Sequence, residues 1–204
     1  MARISRSKLN IKIVILGLLI CAAPAQAAEA VSVTKVEILN QDVNPSANIV
    51  LNDIMAIREI KIKGDIKTGN ISLSYPDYIN KQGRSIPQVE IVNESLAKTI
   101  RQAIVTGAPS QQKQVDFNYK IAKISLLRQK DQHLKAFVSV FFNAAIKVEA
   151  RVMESKTGLW VAWPGRKGSS GKWQDQFKIL DYPASQKLDN MIVEKYKVVR
   201  SEEP

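Results

Sequence analysis

Gly158-Leu159-Trp160-Val161-Ala162-Trp163-Pro164 is followed at once by a basic, glycine-broken stretch, Gly165-Arg166-Lys167-Gly168-Ser169-Ser170-Gly171-Lys172-Trp173. A weaker copy lies upstream. Asn70-Ile71-Ser72-Leu73-Ser74-Tyr75-Pro76 sets apolar, apolar, aromatic and proline at the same relative positions before the turn-rich run 77–84. A chain that holds one pattern twice is constrained to build one kind of unit twice.

The flanking patterns repeat with it. Residues 31–39 are rich in β-branched side chains and alternate as a strand does, and residues 121–127 answer them. Turns at 40–46 and 129–133 lead into second apolar runs, 47–51 and 136–142, which both meet an asparagine, Asn52 and Asn143. Residues 54–62 and 145–153 interleave apolar and charged side chains, as in a strand with one buried face. Pro76 and Pro164 mark where strand pairing stops or an edge begins.

Each unit closes with a helix. Asn93 is a good N-cap, followed by Leu96, Ile100 and Ile104 at i+4 steps. Ser185 is the second expected cap, followed by Leu188, Ile192 and Tyr196. Between the units, residues 106–114 have the composition of a linker. The expected organisation is a first unit over 28–106, a linker over 107–116 and a second unit over 117–204. Both units are α+β, an antiparallel sheet followed by a helix.

The first 27 residues stand apart. Arg3, Arg6, Lys8 and Lys12 precede an apolar run, 13–23, that ends in Ala25-Gln26-Ala27, the pattern of a secretory signal cleaved after Ala27. A membrane span needs about 20 apolar residues, and Lys12 cuts this run short. A lipoprotein signal needs a small residue before Cys21, where this chain has Ile20. The expectation is an exported protein, periplasmic or secreted, that is not integral to a membrane.

With 45% hydrophobic and 24% charged residues in 204, the chain can bury a sizeable core. Four of the 30 basic residues and none of the 19 acidic ones lie in 1–27, which leaves a net charge near +7. The excess is uneven. Residues 31–107 hold nine Lys or Arg against eight acids, whereas 116–204 hold sixteen against ten. Anionic partners would meet the second half.

Enzymatic chemistry finds little to work with. The lone cysteine, Cys21, sits in the leader, so the remainder has no thiol, disulfide or cysteine metal site. The lone histidine, His133, reads as a surface turn residue. No phosphate-binding glycine loop is present, and the carboxylates are scattered singly. No catalytic residue, metal or cofactor is expected.

Taken in order, the strands, the Gly158–Pro164 stretch, the basic loop with Arg166, Lys167, Gly171 and Asp175, and the terminal helix resemble the stage V sporulation protein G (SpoVG) family of bacterial septation and sporulation regulators. The first unit carries another stretch similar to the family, Leu51-Asn52-Asp53-Ile54-Met55-Ala56-Ile57-Arg58-Glu59-Ile60-Lys61-Ile62. Departures are Gly165 where the family usually has serine, no proline after Asp175, and Asn70 where glycine is expected. The resemblance implies small α+β units that dimerise by sharing sheet edges. A tandem copy would then supply its own partner as an intramolecular pseudo-dimer. Such pairing answers a physical need, because a unit of about 75 residues buries little surface alone and its edge strands seek partners.

The resemblance also implies nucleic-acid binding. Arg166, Lys167, Lys172 and Trp173 would supply phosphate contacts and one stacking surface to nucleic acid or another polyanion. The bland alternative is a solvated hairpin with Trp173 returning to the core. Trp160 and Trp163 fit core or edge positions better than stacking platforms. Lys195, Lys197 and Arg200 form a second basic candidate, whose alternative is complementarity to the helix dipole. The competing function is an envelope structural or interaction protein with a protein partner, which keeps the fold without nucleic-acid binding. Export favours it, because chromosomal DNA is absent outside the cytoplasm. Further oligomerisation is left open.

Overall fold

A computed structural model describes residues 31–40, 43–80, 82–110, 116–127, 133–168 and 170–203. The expected leader, residues 111–115 of the expected linker and residues 129–132 of the second turn lie outside the described residues. The first half runs β1 (Val33–Leu39), β2 (Ser46–Leu51), β3 (Met55–Asp65), β4 (Asn70–Ser74), β5 (Asp77–Ile79), β6 (Ser85–Pro87), β7 (Val89–Ile91) and α1 (Glu94–Thr106). The second runs β8 (Tyr119–Leu126), β9 (Leu134–Phe142), β10 (Ile146–Ser155), β11 (Gly158–Ala162), β12 (Gly165–Lys167), β13 (Trp173–Asp175), β14 (Phe177–Ile179) and α2 (Tyr182–Ser201). The fold is α+β with antiparallel sheets and two helices.

The strand order shows what joins the halves. One sheet is ordered β1-β2-β3-β14, with β4 also on β3; the other is ordered β11-β10-β9-β8, with β7 also on β10. The last short strand of each half therefore leaves its own sheet and pairs in the other. Phe177, Lys178 and Ile179 lie opposite Ile57, Ala56 and Met55, while Val89, Glu90 and Ile91 lie opposite Val148, Lys147 and Ile146. Each helix then returns, α1 to β1 and α2 to β8 and β11.

Local chemistry sets these paths in matching ways. Asn52 and Asp53 both have positive φ, as do Asn143 and Ala144. The Ile54 N–H returns to the Leu51 carbonyl at 3.0 Å and the Ala145 N–H to Phe142 at 2.9 Å. These are the mirror-image turns that suit the twist of hairpin strands, and asparagine tolerates the left-handed conformation. Both asparagines are buried, and their side-chain oxygens accept from the backbone N–H of Ser32 and Asn118. After Pro76 and Pro164 the chain makes a short excursion and comes back. The Pro76 carbonyl accepts from Gln88 at 3.0 Å and Val89 at 3.2 Å, and the Pro164 carbonyl from Gln176 at 2.9 Å and Phe177 at 3.1 Å.

Asn93 caps α1 as expected, its side chain accepting from the Leu96 N–H at 2.9 Å, and Gly107 ends the helix at φ +64°. The second cap is a correction. Asp181, not Ser185, caps α2 by accepting from the Ala184 N–H at 3.2 Å, and the Ser185 N–H already bonds to the Asp181 carbonyl. Pro183 fits the first turn, where its missing N–H costs nothing. Leu188, Ile192 and Tyr196 are buried on α2, as are Leu96, Ile100 and Ile104 on α1. The inner faces of both sheets join these residues in one buried cluster. Each such aliphatic or aromatic side chain contributes about 1.5–3 kcal/mol of burial.

Candidate anion-binding hairpin and the contact that orients it

β12 and β13 form a hairpin in which Arg166 lies opposite Gln174 and Lys167 opposite Trp173. Alternation puts Arg166 and Gln174 on one face, Lys167 and Trp173 on the other. The tip is tight, with the Gly168 N–H on the Lys172 carbonyl at 2.8 Å and Gly171 at φ +74°. A β-carbon on Gly165 would stand 3.0 Å from the Gln174 carbonyl oxygen, a close approach, although the matching Asp77 of the first hairpin carries one.

The four candidate residues separate by role. Trp173 is 67% exposed and does not return to the core. Lys167 and Lys172 are exposed beside it, without an ion pair among the described residues. Arg166 instead reaches into the first half, where its Nε and Nη2 donate to the two carboxylate oxygens of Glu59 at 2.5 and 2.6 Å. Gln176, itself buried, adds a third donor to Glu59 at 2.8 Å. The Arg166 hydrogen bond holds the Glu59 carboxyl below its ordinary range and pushes the guanidinium further up. Arg166 thus anchors the hairpin, while Lys167 and the Trp173 indole share the opposite face and Lys172 stands exposed at the tip.

The second basic candidate is engaged elsewhere. Lys195 Nζ donates to the Ile121 carbonyl at 3.2 Å, Lys197 pairs with Glu194 at 2.7 Å, and Arg200 donates to the Tyr196 hydroxyl at 3.0 Å. These contacts tie α2 to β8 and to itself. His133 is exposed, its Nδ1 3.0 Å from the Glu154 carbonyl. Trp160 is 48% exposed on β11. Trp163 is half-buried, 5.4 Å from the Phe177 ring, and its indole N–H donates to Asp189 at 2.9 Å. Burial pushes the Asp189 carboxyl up, and the Trp163 bond partly offsets it.

Glu59, Gln176 and Asp189 were not among the sequence candidates. For Gln176 a signal exists, since Gln88 and Gln176 stand equally far beyond Pro76 and Pro164. Among the described residues no group of three His, Cys, Asp or Glu could hold a metal ion, and no helix is long and apolar enough to cross a membrane.

Comparison with known proteins matches the SpoVG family over residues 119–198. The chain is 33% identical over 84 residues to a protein of Clostridium novyi (strain NT) named as septation protein SpoVG, covering 41% of this chain and 80% of that protein. A protein of the same name from Agathobacter rectalis is 33% identical over 70 residues, 34% of this chain and 80% of the relative. One from Archaeoglobus fulgidus is 29% identical over 79 residues, 38% of this chain and 93% of the relative.

Proposed function

The chain belongs to the SpoVG family, and on that premise we propose a non-enzymatic binding protein, septation-linked by kinship, that grips an anionic partner through the β12–β13 hairpin. In this reading, residues 28–106 and 117–204 are two SpoVG-like units paired as an intramolecular pseudo-dimer. Two observations support the pairing. The exchange of β7 and β14 is reciprocal, and the Clostridium novyi relative is about half as long as this chain, since the same 84 residues make up 80% of it and 41% of this one.

The observation that carries the binding function is the outward face of the hairpin. Lys167 is a cation without an ion pair among the described residues, on the face of the largely exposed Trp173 indole, and Lys172 stands exposed at the tip, on a hairpin tied to the first half by the Arg166–Glu59 pair. Ammonium groups position a phosphate backbone, and an exposed ring offers a surface on which any base stacks.

The test is a salt titration of binding to single-stranded DNA, duplex DNA, RNA and heparin. Each released phosphate contact contributes a slope of about −0.7 to −0.9 in log affinity against log salt. Replacing Lys167 and Lys172 by alanine together should flatten the slope by about 1.5. Trp173→Ala should weaken single strands more than heparin. Absence of binding to all four at low salt defeats the reading and leaves the protein-partner alternative. Export is part of the proposal, motivated by the leader-like residues 1–27. Unprocessed protein confined to the cytoplasm on fractionation would count against it.

A further inference from the structure

The main-chain bonds of the strand exchange are alike on its two sides, and the side chains are not. The Arg58 N–H bonds to the Gln176 carbonyl at 2.8 Å, and the Glu149 N–H to the Gln88 carbonyl at 2.9 Å. Met55 faces Ile179 as Ile146 faces Ile91, and Lys61 faces Ser74 as Arg151 faces Ala162. Between those landmarks β3 takes six steps and β10 takes five. The surplus residue sits where the β2–β3 register shifts, between the pairs Ala47–Ile60 and Ile49–Ile57. β10, by contrast, runs along β9 without a shift from Ile146 to Val152.

Glu59 occupies that bulge at φ +59°, with its N–H turned to the Asn48 side-chain oxygen at 3.1 Å. A bulge re-aims a side chain, and a glutamate at positive φ is held there at a cost. Here the carboxylate is aimed at Arg166 and Gln176 of the second half. The residue of the first half that matches Arg166 is Tyr78, as far beyond Pro76 as Arg166 is beyond Pro164. On the other side of the exchange Arg151, which stands opposite Ala162 as Lys61 stands opposite Ser74, has its Nε buried without a hydrogen-bond partner among the described residues.

Resting on the pseudo-dimer reading, we infer that the Glu59 socket selects the partner: it fits the unlike half, bearing Arg166, and rejects a like half. Two first halves would set Glu59 against Tyr78, a half-buried carboxylate without its guanidinium. Two second halves would set Arg166 against β10, which runs without the bulge and so has no counterpart of Glu59 to receive the guanidinium. The backbone permits all three pairings, since like-with-like would make the same ladder bonds. Discrimination therefore comes from Glu59 and Arg166, as repulsive elements specify partners elsewhere. Without it, chains would join through like halves into open assemblies.

Disulfide reporters in the full chain, with Cys21→Ser, separate the outcomes. Ala56→Cys with Lys178→Cys reports the unlike pairing, because these residues face each other. Lys147→Cys with Lys178→Cys reports like pairing between chains, because Lys147 faces the first half's equivalent of Lys178, Glu90. After refolding under mild oxidation, the first pair should close and the second should give only background crosslinked dimer. Adding Arg166→Tyr to the second pair should raise that dimer about tenfold, the factor that corresponds to ~1.4 kcal/mol. The exchange Glu59→Arg with Arg166→Glu should return it toward background. If Arg166→Tyr does not fold, Glu59→Gln makes the same test with the shape kept. If the first pair closes and neither substitution changes the second, the selection is overturned and the pseudo-dimer stands. If the first pair stays open, both fall.

Discussion

Phe177→Ala should cost about 4 kcal/mol. The ring is 1% exposed, and it lies 5.3 Å from Phe142 and 5.4 Å from Trp163, both in the second half, while its backbone pairs with Ile57 of the first. Withdrawing the buried ring forfeits about 1.5–3 kcal/mol of burial, and the two tilted ring contacts add about 0.5–1.5 kcal/mol apiece. Partial collapse of the cavity brings the net loss to about 3–5 kcal/mol. With a urea slope near 2 kcal/mol/M, the midpoint should fall by about 2 M. Trp163 fluorescence reports the transition from beside the lesion. A double-mutant cycle with Phe142→Ala should be non-additive by 1 kcal/mol or more, because the two rings share one cavity. A loss below about 1 kcal/mol, or strict additivity, would show that the ring does not pack against Phe142 and Trp163 where β14 pairs with β3.

Asn52→Ala should cost about 2 kcal/mol in thermal or urea unfolding, because it removes the acceptor for the Ser32 N–H and hydroxyl and places alanine at φ +50°. Asn52→Gly should recover the conformational part alone, and the same order is expected at Asn143. Asp189→Leu should cost about 1–3 kcal/mol by leaving the Trp163 N–H unpaired, whereas Asp189→Asn, which keeps the acceptor, should be neutral or stabilising at pH 7. Because the folded-state value of Asp189 is raised, its favourable contribution is complete below its ordinary value of 3.8 and is lost as pH rises through the folded value. The stability difference between wild type and Asp189→Asn should therefore favour wild type more at pH 3 than at pH 7, and the opposite trend would contradict the burial.

The long strands were legible because one buried face writes a period of two into 47–51, 136–142 and 145–153. The turns at Asn52 and Asn143 were marked by asparagine at the end of each apolar run. The helix stripes were legible too, but the stripe at Leu188, Ile192 and Tyr196 suggested a cap one turn too late. Its first turn presents Tyr182, which is 73% exposed, and Pro183, neither of which extends an apolar face. The exchanged strands were hidden for another reason. β7 and β14 have three residues each, too few to show alternation, and their partners are chosen by distant backbone. The basic loop announced its charge and not its geometry. Arg166, Lys167 and Lys172 look equivalent in sequence, yet Arg166 is spoken for by a carboxylate 107 residues away that only a bulge brings within reach.

The two hairpins share a frame and differ at the tip, which bears on what the protein can hold. Asn80 N–H to the Arg84 carbonyl and Gly83 N–H to Asn80 repeat as Gly168 to Lys172 and Gly171 to Gly168. On that frame the first half sets Ile79, 65% exposed, and Ser85 where the second sets Lys167 and Trp173. One cation persists in each, Arg84 and Lys172. A partner with two equal faces would find Lys167, Lys172 and an exposed indole at one hairpin, and Arg84 with an exposed aliphatic side chain at the other. Binding of the proposed kind, through Lys167 and Trp173, would therefore be one-sided, because the first hairpin repeats the backbone frame and not that pair of side chains.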